Sequence, residues 1–311
     1  RRHTRYWRDW SSDVCSSDLI IYYYKFNKML SEIIEHNMSS LIDTNKNVFI
    51  FIDGSYFIFH RIFALKQWWK KANSNENIEN PFYNELFVEK FKSTFVNNLK
   101  LLKRKLKLAK NINPILIVGK DCKRENIWRL KYYPEYKSNR TIDESLNVGN
   151  FFKLVYDEDL FIKGGAKLIL YHNLLEADDV IALSVKFLEK HYSNLNLESY
   201  IITGDKDYLQ LINEKVKIFN LSFKDLSKLK NCSGDPKCDL FLKILNGDKS
   251  DNIKPILQKC GPKTALKYYL NKNLFEEKLN ENSSIRENFE LNSLLVDFNN
   301  IPNELISEFY N

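Results

Sequence analysis

The chain has 311 residues, 44% hydrophobic and 28% charged, with only nine Gly and seven Pro. That balance excludes a disordered chain, a collagen-like repeat and a linker-dominated architecture. No apolar run approaches the ~18–20 residues needed to cross a bilayer, and the net charge of +7 is unevenly spread. From Lys100 to Arg140 thirteen Lys/Arg stand against three Asp/Glu, whereas Asn273 to Asn311 carries two against eight. Such segregation points to a polyanionic partner for the middle of the chain, a solvated basic helix being the plainer reading. The five Cys, at positions 15, 122, 232, 238 and 260, are odd in number and lack CxxC spacing. That fits a reducing, cytoplasmic compartment better than a disulfide scaffold or a zinc site.

Residues 1 to about 19 show neither helical nor strand period, and Ser-Ser-Asp occurs there twice. Segment 1–28 is expected to be a non-native or disordered extension, with Met29 or Met38 as a natural start. Strands are predicted at Asn47–Ile52, Pro114–Gly119, Lys167–Tyr171, Ser199–Thr203 and Lys215–Asn220. All are short, rich in Ile, Val and Phe, and apolar on nearly every residue, as strands buried on both faces are. Helices are predicted over Asn84–Lys110, Ala177–Tyr192 and Asp207–Ile212, and the Asn-rich stretch Ala72–Asn80 reads as a mobile loop. The alternation predicts an α/β fold, a largely parallel sheet with helices on both faces, over 47–221. Over 222–272 a short helix, Leu240–Leu245, is followed by a polar loop, then Cys260-Gly261-Pro262-Lys263 and a helix from Thr264 to Asn271. Two short helices joined by a Gly-containing hairpin make a compact backbone-reading module. The remainder, 273–311, is acidic and weakly helical.

In open α/β sheets ligands bind beyond the carboxyl ends of the strands. Asp53 follows the first predicted strand, Asp121 the second, Glu176, Asp178 and Asp179 the third, and Asp205 and Asp207 the fourth. Each alone has an ordinary role open to it, as a turn residue, a helix cap or a first-turn acid. A parallel sheet would gather them all at one edge, which is unfavourable unless cations sit among them. Hard oxygen donors without His or thiolate point to Mg²⁺ or Mn²⁺. A further pair, Asp248 and Asp251, lies three residues apart in the loop after Leu245. Between the acids run Trp128-Arg129 and Tyr133-Pro134-Glu135-Tyr136-Lys137-Ser138-Asn139-Arg140. Lys137 and Arg140 would suit a phosphate in transfer, and Tyr136 would stack on a base.

The ordered set IDGSYFIFHR, GKD…WR…YPEYKSNR, EADDVIA, ITGDKDYLQL, NGDKSDNI and CGPKTA resembles the 5′→3′ exonuclease / flap endonuclease family. That family includes the 5′-nuclease domain of bacterial DNA polymerase I, phage 5′-exonucleases and phage ribonuclease H. The resemblance implies a PIN-like α/β domain followed by a helix–three-turn–helix module. It implies two divalent ions, Mg²⁺ with Mn²⁺ as substitute. Asp53, Asp121, Glu176, Asp178 and Asp179 would lie on the first-metal side, Asp205 between, and Asp207, Asp248 and Asp251 on the second-metal side. Lys137 and Arg140 match the family's basic pair at the base of a helical arch, while Arg129, Tyr136, Gly261, Lys263 and Thr264 would contact DNA. The implied activity is structure-selective 5′ hydrolysis of DNA, and of RNA annealed to DNA, by a monomer working beside a replicative polymerase. The chain departs from the pattern at two places: Lys259 replaces the first Gly of the hairpin, and Thr141 to Lys163 is acidic where the arch is usually basic. The readings set against this one are a HAD-type phosphatase, a catalytically dead DNA-binding accessory protein and a PIN-type ribonuclease.

Overall fold

The computed structural model describes residues 47–73, 80–140, 147–229, 232–257 and 260–310. Segment 1–28, Lys259 and the tip of the expected loop, 74–79, lie outside the described residues. Lys46–Ile301 forms one compact unit, and helix Asn303–Tyr310 belongs to a separate one. The compact unit is built on five parallel strands: β1 (Asn47–Asp53), β2 (Ile115–Gly119), β3 (Ala166–Leu170), β4 (Leu197–Ile202) and β5 (Val216–Phe219). Their order is β3-β2-β1-β4-β5, and Phe51 of the central strand pairs with Ile117 on one side and Ile201 on the other. Each strand lies within two residues of its predicted bounds. Burial on nearly every residue holds for β1, β2 and β4, but the edge strands β3 and β5 are only partly covered.

Eleven helices with α-helical geometry follow among the described residues: α1 (Gly54–Ala72), α2 (Glu85–Lys100), α3 (Leu102–Lys105), α4 (Val148–Asp157), α5 (Leu160–Lys163), α6 (Ala177–His191), α7 (Pro236–Asn246), α8 (Pro262–Leu270), α9 (Lys272–Asn280), α10 (Ser283–Val296) and α11 (Asn303–Tyr310). Helix α1 is not among the predicted helices, because Asp53-Gly54 reads as a turn. Here the Asp53 carboxylate accepts from Tyr56 N at 2.9 Å and starts a helix directly from the strand. Gly54 makes this abrupt junction feasible, since a Cβ there would lie 2.6 Å from the Gly119 carbonyl oxygen. The predicted helix 84–110 is broken instead. Asn84 caps α2, whose buried stripe is Phe87, Phe91, Phe95 and Leu99. The chain then turns, and Lys107 takes a left-handed φ of 57°. Asp207–Leu211 forms a 3-10 turn rather than an α-helix.

The apolar stripes of α1, α2 and α4 cover the sheet with an aromatic core, including Phe57–Phe95 at 5.0 Å and Phe91–Phe151 at 4.8 Å between ring centroids. Phe151 and Val155, in the stretch expected to form an arch, are therefore core residues. A second core joins Ile244 and Leu245 of α7 with Ala265 of α8, Phe275 of α9, Leu295 of α10, Cys122 and Tyr136. That packing carries the loop after α7 back toward the carboxyl edge of the sheet. Gly247, at φ 69°, makes the bend; a Cβ there would lie 2.4 Å from the Ile253 carbonyl oxygen.

Candidate active site

Parallel strands present their carboxyl ends at one edge, and the acids gather there. Asp53 ends β1; besides capping α1, it accepts from the Thr203 hydroxyl at 3.0 Å. Asp121, just past β2, accepts from Ala177 N at 2.7 Å and from the Ser55 hydroxyl. Glu176 caps α6, and Asp179 reciprocally accepts from Glu176 N at 3.2 Å. Donor oxygens of Glu176, Asp178 and Asp179 lie within 4.8 Å of one another, as do those of Asp178, Asp205 and Asp207, and those of Asp207, Asp248 and Asp251. Asp178 and Asp207 each belong to two groups, so seven acids form one continuous chain from α6 to the loop after α7, whereas Asp53 and Asp121 belong to none of the three groups. Lys137 bridges its ends, with Nζ 2.5 Å from Glu176 and 3.8 Å from Asp251.

Burial of these acids, with like charge beside them, has the expected electrostatic result. Burial, then Asp121 and Asp205, pushes the Asp53 carboxyl up to about 7. Burial also raises Asp121, Asp178 and Asp205, and Asp179 and Glu176 add to the rise at Asp178. These groups resist ionising unless positive charge is brought among them. The three groups contain carboxylates alone, a donor set that fits Mg²⁺ or Mn²⁺. The neighbouring Cys122 thiol is buried, which pushes it up to about 12, and it belongs to none of the three groups.

Two residues expected to touch DNA do not reach the surface. Arg129 is 2% exposed. Its guanidinium donates to Asp179 at 2.8 and 2.7 Å, to Glu176 at 3.0 Å and to the Leu295 carbonyl at 2.7 Å. Tyr136 is 4% exposed, and its hydroxyl donates to Glu176 at 3.1 Å and Asp251 at 3.3 Å. Both are buried braces of the acid cluster. Asp179, fully buried, spends its oxygens on Arg129, on Trp128 Nε1 at 2.9 Å and on Glu176 N. It forms the back wall of the site.

Lys137 and Arg140 stand beside the acids, but differently. Lys137 has φ 54°, donates its backbone N–H to Asp251 O at 2.9 Å and is 8% exposed. Burial opposes its charge, yet Glu176, Asp251 and Asp178 hold its ammonium group above the usual lysine range. Arg140 reaches Asp251 at 2.5 Å with its side chain half in solvent. Arg124, a residue the sequence reading does not single out, donates to the Lys137 carbonyl and, at 3.1 Å, to that of Arg140. Lys243 of α7 is another. Its Nζ pairs with Asp207 and lies 2.7 Å from Asp248. Against burial, Lys243 and the Ser250 hydroxyl hold Asp248 down at about 2. Only its place five residues before Asp248 could have drawn attention to it. In the hairpin module, Gly261 precedes α8 with Lys263 and Thr264, all three exposed, and the space about Gly261 is open.

Residues 48–234 match the family described as 5′-3′ exonuclease, N-terminal resolvase-like domain. A 5′-3′ exonuclease of Buchnera aphidicola subsp. Schizaphis graminum is 30% identical over 231 residues, covering 72% of this chain and 70% of the relative. A DNA polymerase I of Caldicellulosiruptor bescii is 28% identical over 257 residues, 78% of this chain but 27% of that enzyme. Among solved structures, the T5 D15 protein co-crystallised with metal ions superposes with a TM-score of 0.56 at 20% identity, covering 85% of this chain and 97% of that one. The T5 D15 flap endonuclease, as a variant in a pseudo-enzyme-product complex with DNA and metal ions, gives 0.57 at the same identity and coverage. The fold, the match over residues 48–234 and the Buchnera relative together show that the chain belongs to the 5′-3′ exonuclease family and is a nuclease of that family.

Proposed function

We propose that this nuclease is Mg²⁺-dependent and structure-selective, hydrolysing phosphodiesters near 5′ ends and flaps in DNA, and in RNA annealed to DNA. The observation that carries the reading is the continuous chain of carboxylates at the carboxyl edge of the sheet, with Asp178 and Asp205 in it, and Asp53 and Asp121 beside it, driven upward by burial. Glu176 and Asp178, with Asp53 and Asp121 beside them, would hold one ion; Asp207, Asp248 and Asp251 would hold a second, with Asp205 between. Such ions, when bound, lower the pKa of a coordinated water and stabilise the leaving oxygen. The half-exposed Arg140 guanidinium donates to the phosphate, where charge builds up in the transition state. Lys137, held against Glu176 and Asp251, orients both acids. The exposed start of α8, with Gly261, Lys263 and Thr264, offers backbone N–H groups and a cation to a duplex phosphate. DNA as the substrate is supported by the T5 complex, and a working partnership with a replicative polymerase by the polymerase I relative. Helices α7 and α8 add a helix pair to the sheet domain, which favours DNA over the substrates of a bare PIN-type ribonuclease.

Cleavage mapping on labelled 5′-flap, nicked, gapped and RNA–DNA substrates, with Mg²⁺, Mn²⁺ or EDTA, tests this. Cleavage near the junction that needs a divalent ion is expected. Asp205→Ala is expected to abolish it with Kd for the flap substrate changed less than threefold. Metal-independent cleavage, or an Asp205→Ala rate within tenfold of the parent, would overturn the two-ion reading.

A further inference from the structure

Helix α1 starts at the acid cluster and runs away from it beside α2. Between them lies a groove of about 330 Å³, lined by Arg61, Leu65 and Trp68 of α1 and by Lys90, Thr94 and Asn98 of α2. These are matching stripes, spaced at i, i+4, i+7 on one helix and i, i+4, i+8 on the other. The volume lies in the range of small-ligand sites. The lining contains two cations and no acid. Arg61 Nε is buried and has no hydrogen-bond partner among the described residues. Burial pulls the Arg61 guanidinium below its ordinary range, the sign of a charge without a counter-ion. A desolvated, unpaired donor is unfavourable until an acceptor arrives, and for a guanidinium the fitting acceptor is a phosphate. Lys90 stands at the groove with Nζ 5.1 Å from the Trp68 ring centroid. Trp68 is 49% exposed, so a large flat aromatic face borders both cations.

We propose that this groove is a nucleotide subsite for the DNA substrate: a backbone phosphate held by Arg61 and Lys90, with its base laid on Trp68. Two cations and an aromatic face are the elements with which proteins track a strand. The proposal rests on the DNA-nuclease reading above. Position argues for a strand rather than a free nucleotide. Arg61 is eight residues along α1 from the capping Asp53, about 12 Å at about 1.5 Å per residue. That is three to four nucleotide steps at about 3.4 Å each along one strand of a duplex. A strand engaged at the acids and lying along α1 therefore reaches the groove without leaving the protein.

The test is binding of a labelled 5′-flap DNA, with Ca²⁺ in place of Mg²⁺, at several salt concentrations. Arg61→Met, Lys90→Met and Trp68→Ala are each expected to raise Kd by about tenfold. The two cation variants should also flatten the salt dependence by about one unit of slope, whereas Trp68→Ala should leave the slope alone. DNA should quench a fluorescence component that Trp68→Phe lacks, and millimolar deoxynucleoside monophosphate should not. Unchanged Kd and slope in all three variants would overturn the proposal. Quenching by the mononucleotide alone would also overturn it, since the groove would then hold a free nucleotide. Arg61→Met removes a half-buried charge, so its fold is checked by thermal melting; Lys90 and Trp68 are exposed and carry the test if it unfolds. Flap cleavage by the parent protein is measured first: its absence refutes the nuclease reading, while normal cleavage with unaltered variants refutes the groove alone.

Discussion

Arg129→Met should destabilise the protein severely without any contact with substrate being lost. Arg129 and Asp179 form a pair at 2% and 0% side-chain exposure, with two parallel bonds of 2.7 and 2.8 Å. A third bond of 3.0 Å holds Glu176, and a fourth of 2.7 Å holds the Leu295 carbonyl of α10. Replacing the guanidinium by a methionine of comparable length leaves Asp179 buried with only Trp128 Nε1 and Glu176 N as donors, and leaves the Leu295 carbonyl unpaired. Breaking a buried pair from one side typically costs about 3–5 kcal/mol, because the remaining charge has neither counter-ion nor water. Against a total stability of about 5–15 kcal/mol, that is a large part of the whole. At about 2–4 °C per kcal/mol for domains of this size, the melting temperature should fall by roughly 6–20 °C. Urea unfolding of the metal-free protein, followed by far-UV circular dichroism, gives the free-energy change. The double variant Arg129→Met, Asp179→Leu should recover part of the loss, since the stranded charge goes with its partner. A loss below about 1 kcal/mol for the single variant, or a double variant less stable than it, would refute the account of Arg129 as the counter-ion of the site.

Lys243→Met should bind Mn²⁺ several-fold more tightly in isothermal titration calorimetry, because an internal cation no longer shares Asp207 and Asp248 with the ion; unchanged affinity would mean that Lys243 swings clear when metal binds. The metal-free protein should lose stability as pH rises. The unfolded chain ionises Asp53 near 3.8 and the folded one near 7, so below about pH 4 this group costs nothing, and the penalty grows from there up to about 7. Asp121, Asp178 and Asp205 are raised in the same direction. Melting temperatures in EDTA should therefore drop between pH 5 and 8, and Mg²⁺ should stabilise more at pH 8 than at pH 6. A melting temperature in EDTA that climbs across this window would contradict the assignment. Lys137→Ala should lower the saturated single-turnover rate far more than it weakens DNA binding; a raised Kd with an unchanged rate would mark Lys137 as a substrate-positioning residue only.

The five strands, the parallel sheet and the edge at which the acids meet were legible in the sequence. Hydrophobic runs and strand–helix alternation are local signals, and a parallel sheet has only one carboxyl edge. Helix α1 was not legible, because its Asp-Gly start reads as a turn until the Asp53 carboxylate is seen capping Tyr56. The break after Lys100 was hidden for a related reason: the Lys-rich stretch keeps helical composition while its backbone turns at Lys107. Exposure was the other quantity that only tertiary structure decided. Arg129 and Tyr136 have the composition of a DNA contact, and the packing of α10 and of the loop after α7 encloses both. The pairs Arg129–Asp179, Lys243–Asp207 and Lys137–Asp251 join residues 50, 36 and 114 positions apart. No spacing rule links such residues. Which cation neutralises which acid follows from how the chain folds back on itself, because charge interacts through distance in space and not along the sequence.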